Sequence, residues 1–351
     1  MHLIPFKGYI FDSTKAIFDQ RFYDEMREHF MSMFGKGIFY PASGIPSYYV
    51  LEIKNENRLF TGIVTLTSIQ DYISGKIKAH EQTIIKKQVV HKKLLASRKA
   101  MIKPAAVLIN KNKKLNEILN QIKKSGKPGF SVQFPDASSR HQLWIVNDQK
   151  KIEKINSQFK NTNKAIIADG HHRFATVAEM NNKKSPAAIL TAFFTADQME
   201  VSAFYRILRP LKRQSSHLIL KAIQEKAIGW KKIKAIPTDP GDDFYLIHQK
   251  NTYVFALKKN KEKLWAHQFH DQITGGIFKI INESRSERIH FEQINTDKNE
   301  LAFLADKYAD DFIFKLPLMD THQILQNKKL LPPKSTLFIP RIINGLVVHL
   351  M

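Results

Sequence analysis

Apolar positions along this chain alternate between helical spacing and a period of two, and the two rhythms take turns from end to end. Residues 18 to 33 carry apolar side chains at helical intervals and predict an amphipathic helix. The runs 48 to 53 and 59 to 66, joined by Asn55-Glu56-Asn57-Arg58, predict a hairpin. Residues 83 to 100 read as a cation-rich helix closed by Pro104, followed by a short apolar strand at 105 to 109 and a helix at 115 to 123. After the turn Gly126-Lys127-Pro128-Gly129, the segments 130 to 134 and 141 to 146 predict paired strands, and 152 to 159 a helix. A strand then runs into Asp169, a helix follows, and 187 to 194 reads as a buried strand. Further on, 201 to 208 predicts a strand, 216 to 229 a helix, 244 to 248 with 252 to 257 a second hairpin, and 275 to 281 a short element. The chain closes on extended segments at 337 to 339 and 342 to 350. This is a mixed α/β pattern without internal repeats. It divides near residue 210 into an N-terminal lobe, 1–210, and a C-terminal α/β lobe, 211–351.

Composition narrows the class. With 351 residues and 43% hydrophobic content, the chain can bury a sizeable core and suits two lobes better than one. No stretch has the length of a membrane helix, and Met1-His2-Leu3-Ile4-Pro5-Phe6 lacks the basic region and apolar core of a secretory signal. Cytoplasmic residence without membrane association is the resulting expectation. The absence of cysteine excludes disulfides, thiolate metal sites and cysteine nucleophiles, sulfiredoxin chemistry among them. A net charge of +23 would ordinarily suggest nucleic acid. Here the lysines are scattered, as in Lys86-Lys87, Lys111 to Lys114, Lys150-Lys151 and Lys258 to Lys263, and no aromatics interleave a basic stripe. Compositional drift is the favoured explanation, with polyanion binding as the minority one. A positive field also draws anionic metabolites toward a cleft.

Candidate chemistry concentrates at Ala168-Asp169-Gly170-His171-His172-Arg173, where an apolar strand meets the start of a helix. Free first-turn amides attract anions. Asp169 can accept from them, Gly170 permits close approach to the backbone, and Arg173 offers a planar fork for phosphate. The bland alternative is a capped helix with two exposed imidazoles. A second cluster, Lys76-Ile77-Lys78-Ala79-His80-Glu81-Gln82-Thr83, places cations beside an imidazole and a carboxylate. Glu81 can take a proton from a hydroxyl or hold Mg²⁺, while Lys76, Lys78 and His80 neutralise phosphate oxygens. Standing alone, such an octet in a lysine-rich chain reads as a solvated face.

Arg206 lies on an apolar strand, where an unpaired charge is costly, and so meets either a carboxylate or a substrate phosphate. Lys334 with Ser335 and Thr336, after Pro332-Pro333, forms either a phosphate clamp or a strand-entry turn. His267, His270 and Asp271 have metal-compatible spacing if helical, although a surface pair is the commoner outcome. Glycine-rich dinucleotide motifs, a P-loop and a nucleophile elbow are missing from the sequence.

Four blocks in order, 75 to 83, 168 to 173, Phe204-Tyr205-Arg206-Ile207 and Leu331 to Thr336 with Gly345-Leu346-Val347, resemble the bacterial and archaeal family known as domain of unknown function 1015 across nearly the whole chain. That family usually opens with a longer segment containing a Pro-Pro-Tyr-Asp-Val-like stretch, and nothing comparable follows Ile4-Pro5-Phe6. The Asp-Gly-His-His-Arg turn is also similar to the phosphate-binding turn of the wider ParB and sulfiredoxin-like superfamily, whose members bind or use nucleotides and include a free-serine kinase. This resemblance implies a ParB/sulfiredoxin-like core. It places Gly170, His171, His172 and Arg173 on nucleotide or phosphoryl oxygens, with Lys78, Arg206, Lys334 and Ser335 as further phosphate contacts. Catalytic roles then fall to Glu81 as base, His80, Asp169 and His172, and a tentative Mg²⁺ to Glu81 and Asp169. The expected function is phosphoryl transfer, kinase-like or phosphatase, on a small hydroxyl-bearing or phosphorylated metabolite such as serine or phosphoserine, with ATP, ADP or CTP as nucleotide. The alternative is a ParB-like nucleotide-binding regulator or DNA-associated protein without turnover, and a third reading is a metabolite-binding protein.

Overall fold

A computed structural model describes residues 1–15, 19–55, 58–82, 85–133, 139–181, 187–202, 204–237, 241–258, 263–293 and 298–351. The fold is mixed α/β, and the chain forms two compact units. The first comprises 1–79, 85–200 and 338–351, and the second 80–84 and 201–337. This differs from a single cut near residue 210, and backbone pairing gives the reason. Leu331 N–H donates to His80 O at 2.8 Å and Gln82 N–H to Leu331 O at 3.0 Å, which ties the HEQ segment into the second unit. Val348 and Tyr9 exchange both backbone bonds at 2.8 and 2.9 Å, which ties the end of the chain into the first. Pairing between residues hundreds of positions apart leaves no local trace in the sequence.

In the first unit a nine-stranded mixed sheet runs, in spatial order, Ile77–Ala79, Ala165–Asp169, Ala105–Ile109, Ala188–Thr195, Arg58–Ser68, Tyr48–Asn55, Ser139–Val146 and Phe130–Gln133, with Leu3–Ile4 also paired to Arg58–Ser68. Its apolar runs explain its middle. Ala105–Ile109 is buried along its whole length and Ala165–Asp169 is buried up to its last residue, as expected of strands covered on both faces. The helices Lys113–Lys124 and Gln149–Lys160 each present a three- and four-spaced apolar stripe, Leu115, Leu119 and Ile122 on one and Ile152, Ile155 and Phe159 on the other. Both stripes enter one core with Val50, Ile63, Val107, Ile167 and Phe193. Asn112 and Asp148 cap these helices by accepting from Leu115 N–H and Lys151 N–H.

The second unit is built on a six-stranded antiparallel sheet in the order Ala227–Ile233, Asn251–Leu257, Phe244–His248, Phe312–Lys315, Tyr205–Leu208 and Ile289–Glu292. Alternation along Tyr205–Leu208 sends Tyr205 and Ile207 into one core with Ile313 and Leu304, and Leu208 into another with Phe269, Phe278 and Phe312. Thr321–Gln326 begins with a full capping box between Asp320 and Gln323.

Several element boundaries depart from the sequence reading. The segment 201 to 208 is two strands, Glu200–Ser202 and Tyr205–Leu208, and Ala203 lies outside the described residues. The helix expected to reach residue 229 stops at Lys226, because Ala227–Ile233 pairs with Asn251–Leu257 and absorbs Gly229, φ +67°, in a register shift between Ile228 and Lys231. The cation-rich helix ends at Arg98, where Lys99 turns left-handed at φ 48°, well before Pro104. Phe18, Thr83 and Phe134, at the edges of expected elements, lie outside the described residues. No helix among the described residues is long and apolar enough to cross a membrane.

Candidate functional site

The Asp-Gly-His-His-Arg junction folds as strand, turn and helix: Ala165–Asp169, Gly170, then His171–Met180. Pairing with Ala105–Ile109 slips between Ile167 and Asp169, so Asp169 rather than Ala168 faces Ala106. Such a bulge re-aims the next side chain. Gly170 adopts φ +108°, a left-handed value that strains any other residue. The space a Cβ would fill there already holds the Arg173 guanidinium at 2.8 Å and Ala105 Cβ at 2.9 Å. The glycine therefore accommodates the protein's own arginine.

Asp169 does not cap this helix, contrary to the expectation from sequence. Gly170 is the N-cap and makes no side-chain bond. The Asp169 carboxylate is drawn instead to Arg173 Nη2 at 3.1 Å and Lys103 Nζ at 3.2 Å, because charged donors outbid a backbone amide. Arg173 turns the rest of its fork inward, Nη1 donating to Lys103 O and Pro104 O, both at 2.8 Å.

The charge balance here is lopsided. Partial removal from water opposes ionisation of Asp169, whose side chain is still 51% exposed, but Lys103, Arg173 and Arg341 outweigh it and hold the carboxyl well below its usual range. Lys103 is itself pushed down, by burial first, with Arg173 and Arg341 adding repulsion against the pull of Asp169. Arg98, nearly buried on the helix Ile85–Arg98, is lowered to about 10 by burial and by Arg27 and Arg173. On the same helix His91 stacks on His172, ring centroids 6.2 Å apart and planes within 17°. Three cations, Lys103, Arg173 and Arg341, thus gather around one carboxylate, and Arg98 acts on Arg173 beside them.

The second unit assembles a different polar cluster. His80, buried, meets Thr336 Oγ1 at 2.6 Å through Nε2, and Glu81 Oε2 lies 3.9 Å from the same nitrogen. Lys334 sits at φ 57°, over the Phe204 ring at 4.8 Å, and this turn presents Ser335 and Thr336 inward. Ser335 Oγ accepts from Arg206 Nη2 at 3.0 Å and donates to Pro332 O at 2.6 Å. Of the two partners open to Arg206, the structure supplies the carboxylate: Glu283 Oε1 lies 3.6 Å from Nη1, and both side chains are buried. His270 Nδ1 meets the same oxygen at 2.8 Å; this bond leads in raising the imidazole pKa, while burial opposes it. Burial works against ionisation of Glu283, but Arg206 and His270 prevail and keep it low.

The remaining residues singled out by sequence are placed as follows. Lys78 is exposed on Ile77–Ala79, paired with Ile166. His171 is buried and His172 half-buried at the helix start. His267, His270 and Asp271 do not converge: His267 Nε2 meets Leu330 O at 3.0 Å, His270 meets Glu283, and Asp271 pairs with Lys263 at 2.6 Å. Among the described residues no group of three His, Asp or Glu side chains is arranged to hold a metal ion. A carboxylate engaged by two cations, as Asp169 is, does not fit Mg²⁺, which needs oxygen donors free of competing charge. Lys103, Arg341, Arg98 and Glu283 escaped the sequence reading. Lys103 alone left a trace, as a cation directly before the Pro104 that opens a buried strand.

Solved structures that align with the chain include a conserved hypothetical protein from Pyrococcus furiosus (12% identity, 80% of this chain and 94% of that chain, TM-score 0.40). A free serine kinase in complex with AMP aligns at 13% identity over 80% of this chain and 90% of its own, TM-score 0.41. SbnI with a C-terminal truncation, from Staphylococcus aureus, aligns at 12% identity over 82% and 87%, TM-score 0.44. No curated protein matches the sequence. The family model described as protein of unknown function (DUF1015) matches residues 9–281, which takes in the HEQ, Asp-Gly-His-His-Arg and Phe-Tyr-Arg-Ile blocks and stops before Leu331 to Thr336. With that match over most of its length, the chain belongs to the DUF1015 family.

Proposed function

We propose that this protein binds a phosphate-bearing small molecule, a nucleotide such as ATP, ADP or CTP, at the Gly170 turn and transfers a phosphoryl group to or from a small hydroxyl-bearing metabolite. Serine and phosphoserine are the first substrates to try. One observation carries the reading: Arg98, Lys103, Arg173 and Arg341 outnumber Asp169 around the start of a helix, leaving positive charge that an anion would neutralise. His172 and His171 supply donors at the helix start, and Glu81, whose Oε2 lies 3.9 Å from His80 Nε2, is the proton acceptor to test. Catalysis of this kind is mostly positioning and electrostatics. Cytoplasmic residence belongs to the same reading.

The second reading is a site that binds a nucleotide and regulates without turnover. One set of measurements separates the two. ATP, ADP or CTP with serine, and phosphoserine alone, should be turned over by the wild-type protein, and Glu81→Gln should abolish turnover while sparing binding. Saturable binding with no turnover in any combination favours the regulator. Asp169→Asn tests the anion site itself: removing the carboxylate frees Lys103 and Arg173, so nucleotide affinity should rise. A fall in affinity would mean that Asp169 serves the ligand rather than competing with it.

A further inference from the structure

Two histidines on different helices lie face to face beside the cation cluster, His91 on Ile85–Arg98 and His172 on His171–Met180. The two helices pack together. Around His91 stand Arg98 on its own helix, His172 and Arg173 on the partner helix, and Asp169 at the end of the central strand; Lys103 and Arg341 reach it through Asp169. Of the charged groups that act on His91, Asp169 alone favours its protonation, and Asp169 is already bound by two cations. A protonated imidazole in that company would be repelled from three sides.

We propose that His91 is a proton-accepting member of the anion site at the Gly170 turn, neutral when the site is empty and protonated when a dianion of the phosphate or sulfate class occupies it. This rests on the reading of the turn as an anion site. Burial is the first cause that keeps His91 neutral and the neighbouring cations the second; a dianion placed among these cations would offset the second and add an attraction for the protonated imidazole that opposes the first. Burial first, then Arg173, His172 and Arg98, set the empty-state pKa at about 4. Binding therefore draws one proton from solution at neutral or mildly acidic pH. The same linkage makes the site selective: a dianion gains from the extra proton, whereas a monoanion of the same size gains less.

Sulfate is the probe of choice, because it stays a dianion across the range and any proton uptake belongs to the protein. His91 is followed by its imidazole resonance, assigned by loss in His91→Gln. Saturating sulfate should raise its pKa above 6, and sulfate affinity should increase up to about tenfold for each pH unit lowered between the bound and empty values. In His91→Gln that pH dependence should disappear. Sulfate that binds without moving the His91 resonance overturns the inference and leaves the anion site standing. Failure of sulfate, phosphate and ADP to bind at pH 6 and at pH 8 overturns both.

Discussion

At the scale of single residues, the turn at Gly170 is held by geometry that few substitutions can imitate. A side chain there must adopt a left-handed backbone and also displace Arg173 from its bonds to Asp169, Lys103 O and Pro104 O. Gly170→Ala is expected to destabilise the protein by roughly 1–3 kcal/mol, read as the shift in a denaturant midpoint. A change below about 0.5 kcal/mol would show that the turn tolerates a Cβ and that the close contact is soft. The junction itself was legible, since strand, glycine and helix follow one another in eight residues. The direction of Arg173 was not: its acceptors lie 70 and 69 positions away, and only strand pairing brings them close.

At the scale of elements, local signals did well where apolar spacing and caps agreed. The helices Lys113–Lys124 and Gln149–Lys160 and the hairpin Tyr48–Asn55 with Arg58–Ser68 all stand where the pattern put them, because each has a stripe or alternation that only one structure buries. Ala227–Ile233 failed that test, since its Ala and Ile suit either state and the partner strand decides. Phe159 closes its helix against Phe193, centroids 5.0 Å apart, and is fully buried. Phe159→Ala should cost about 3–5 kcal/mol, measured by urea unfolding.

His141 gives the sheet a pH signature. It is fully buried on Ser139–Val146, its Nε2 3.3 Å from Arg341 O, and burial lowers its pKa to about 4. The unfolded chain, with a histidine near 6.5, takes up the proton first, so stability is whole above that pH and falls as pH drops toward 4. The loss reaches about 3 kcal/mol at most. Unfolding midpoints from pH 7 to 4.5 should show it, and His141→Gln should flatten part of the slope. His270 works in the opposite sense: with its pKa raised, its contribution is present below about 6.5 and fades as pH climbs through the folded value.

For the molecule as a whole, a charge of +23 predicts retention on duplex DNA at low salt whatever the function. That retention should fall steeply between about 50 and 200 mM salt. It should also be unaltered in Arg173→Gln, one lost cation among many. A selective loss in that variant would link the turn to nucleic acid and strengthen the DNA-associated alternative. Charge scattered along the sequence was readable from composition, and so was the α/β class. The allocation of segments to two units was not, because it depends on backbone bonds across the whole chain.

The five-residue excursion at 80–84 has a practical meaning for anyone dissecting this protein. The covalent thread passes between the units at 79/80, 84/85, 200/201 and 337/338, so severing any single peptide link leaves them joined. A fragment spanning 201–337 would forfeit the acceptor and donor that His80 and Gln82, respectively, give Leu331, together with the imidazole that Thr336 meets. Supplying residues 80–84 in trans, as a short peptide, is then the natural complement to such a fragment.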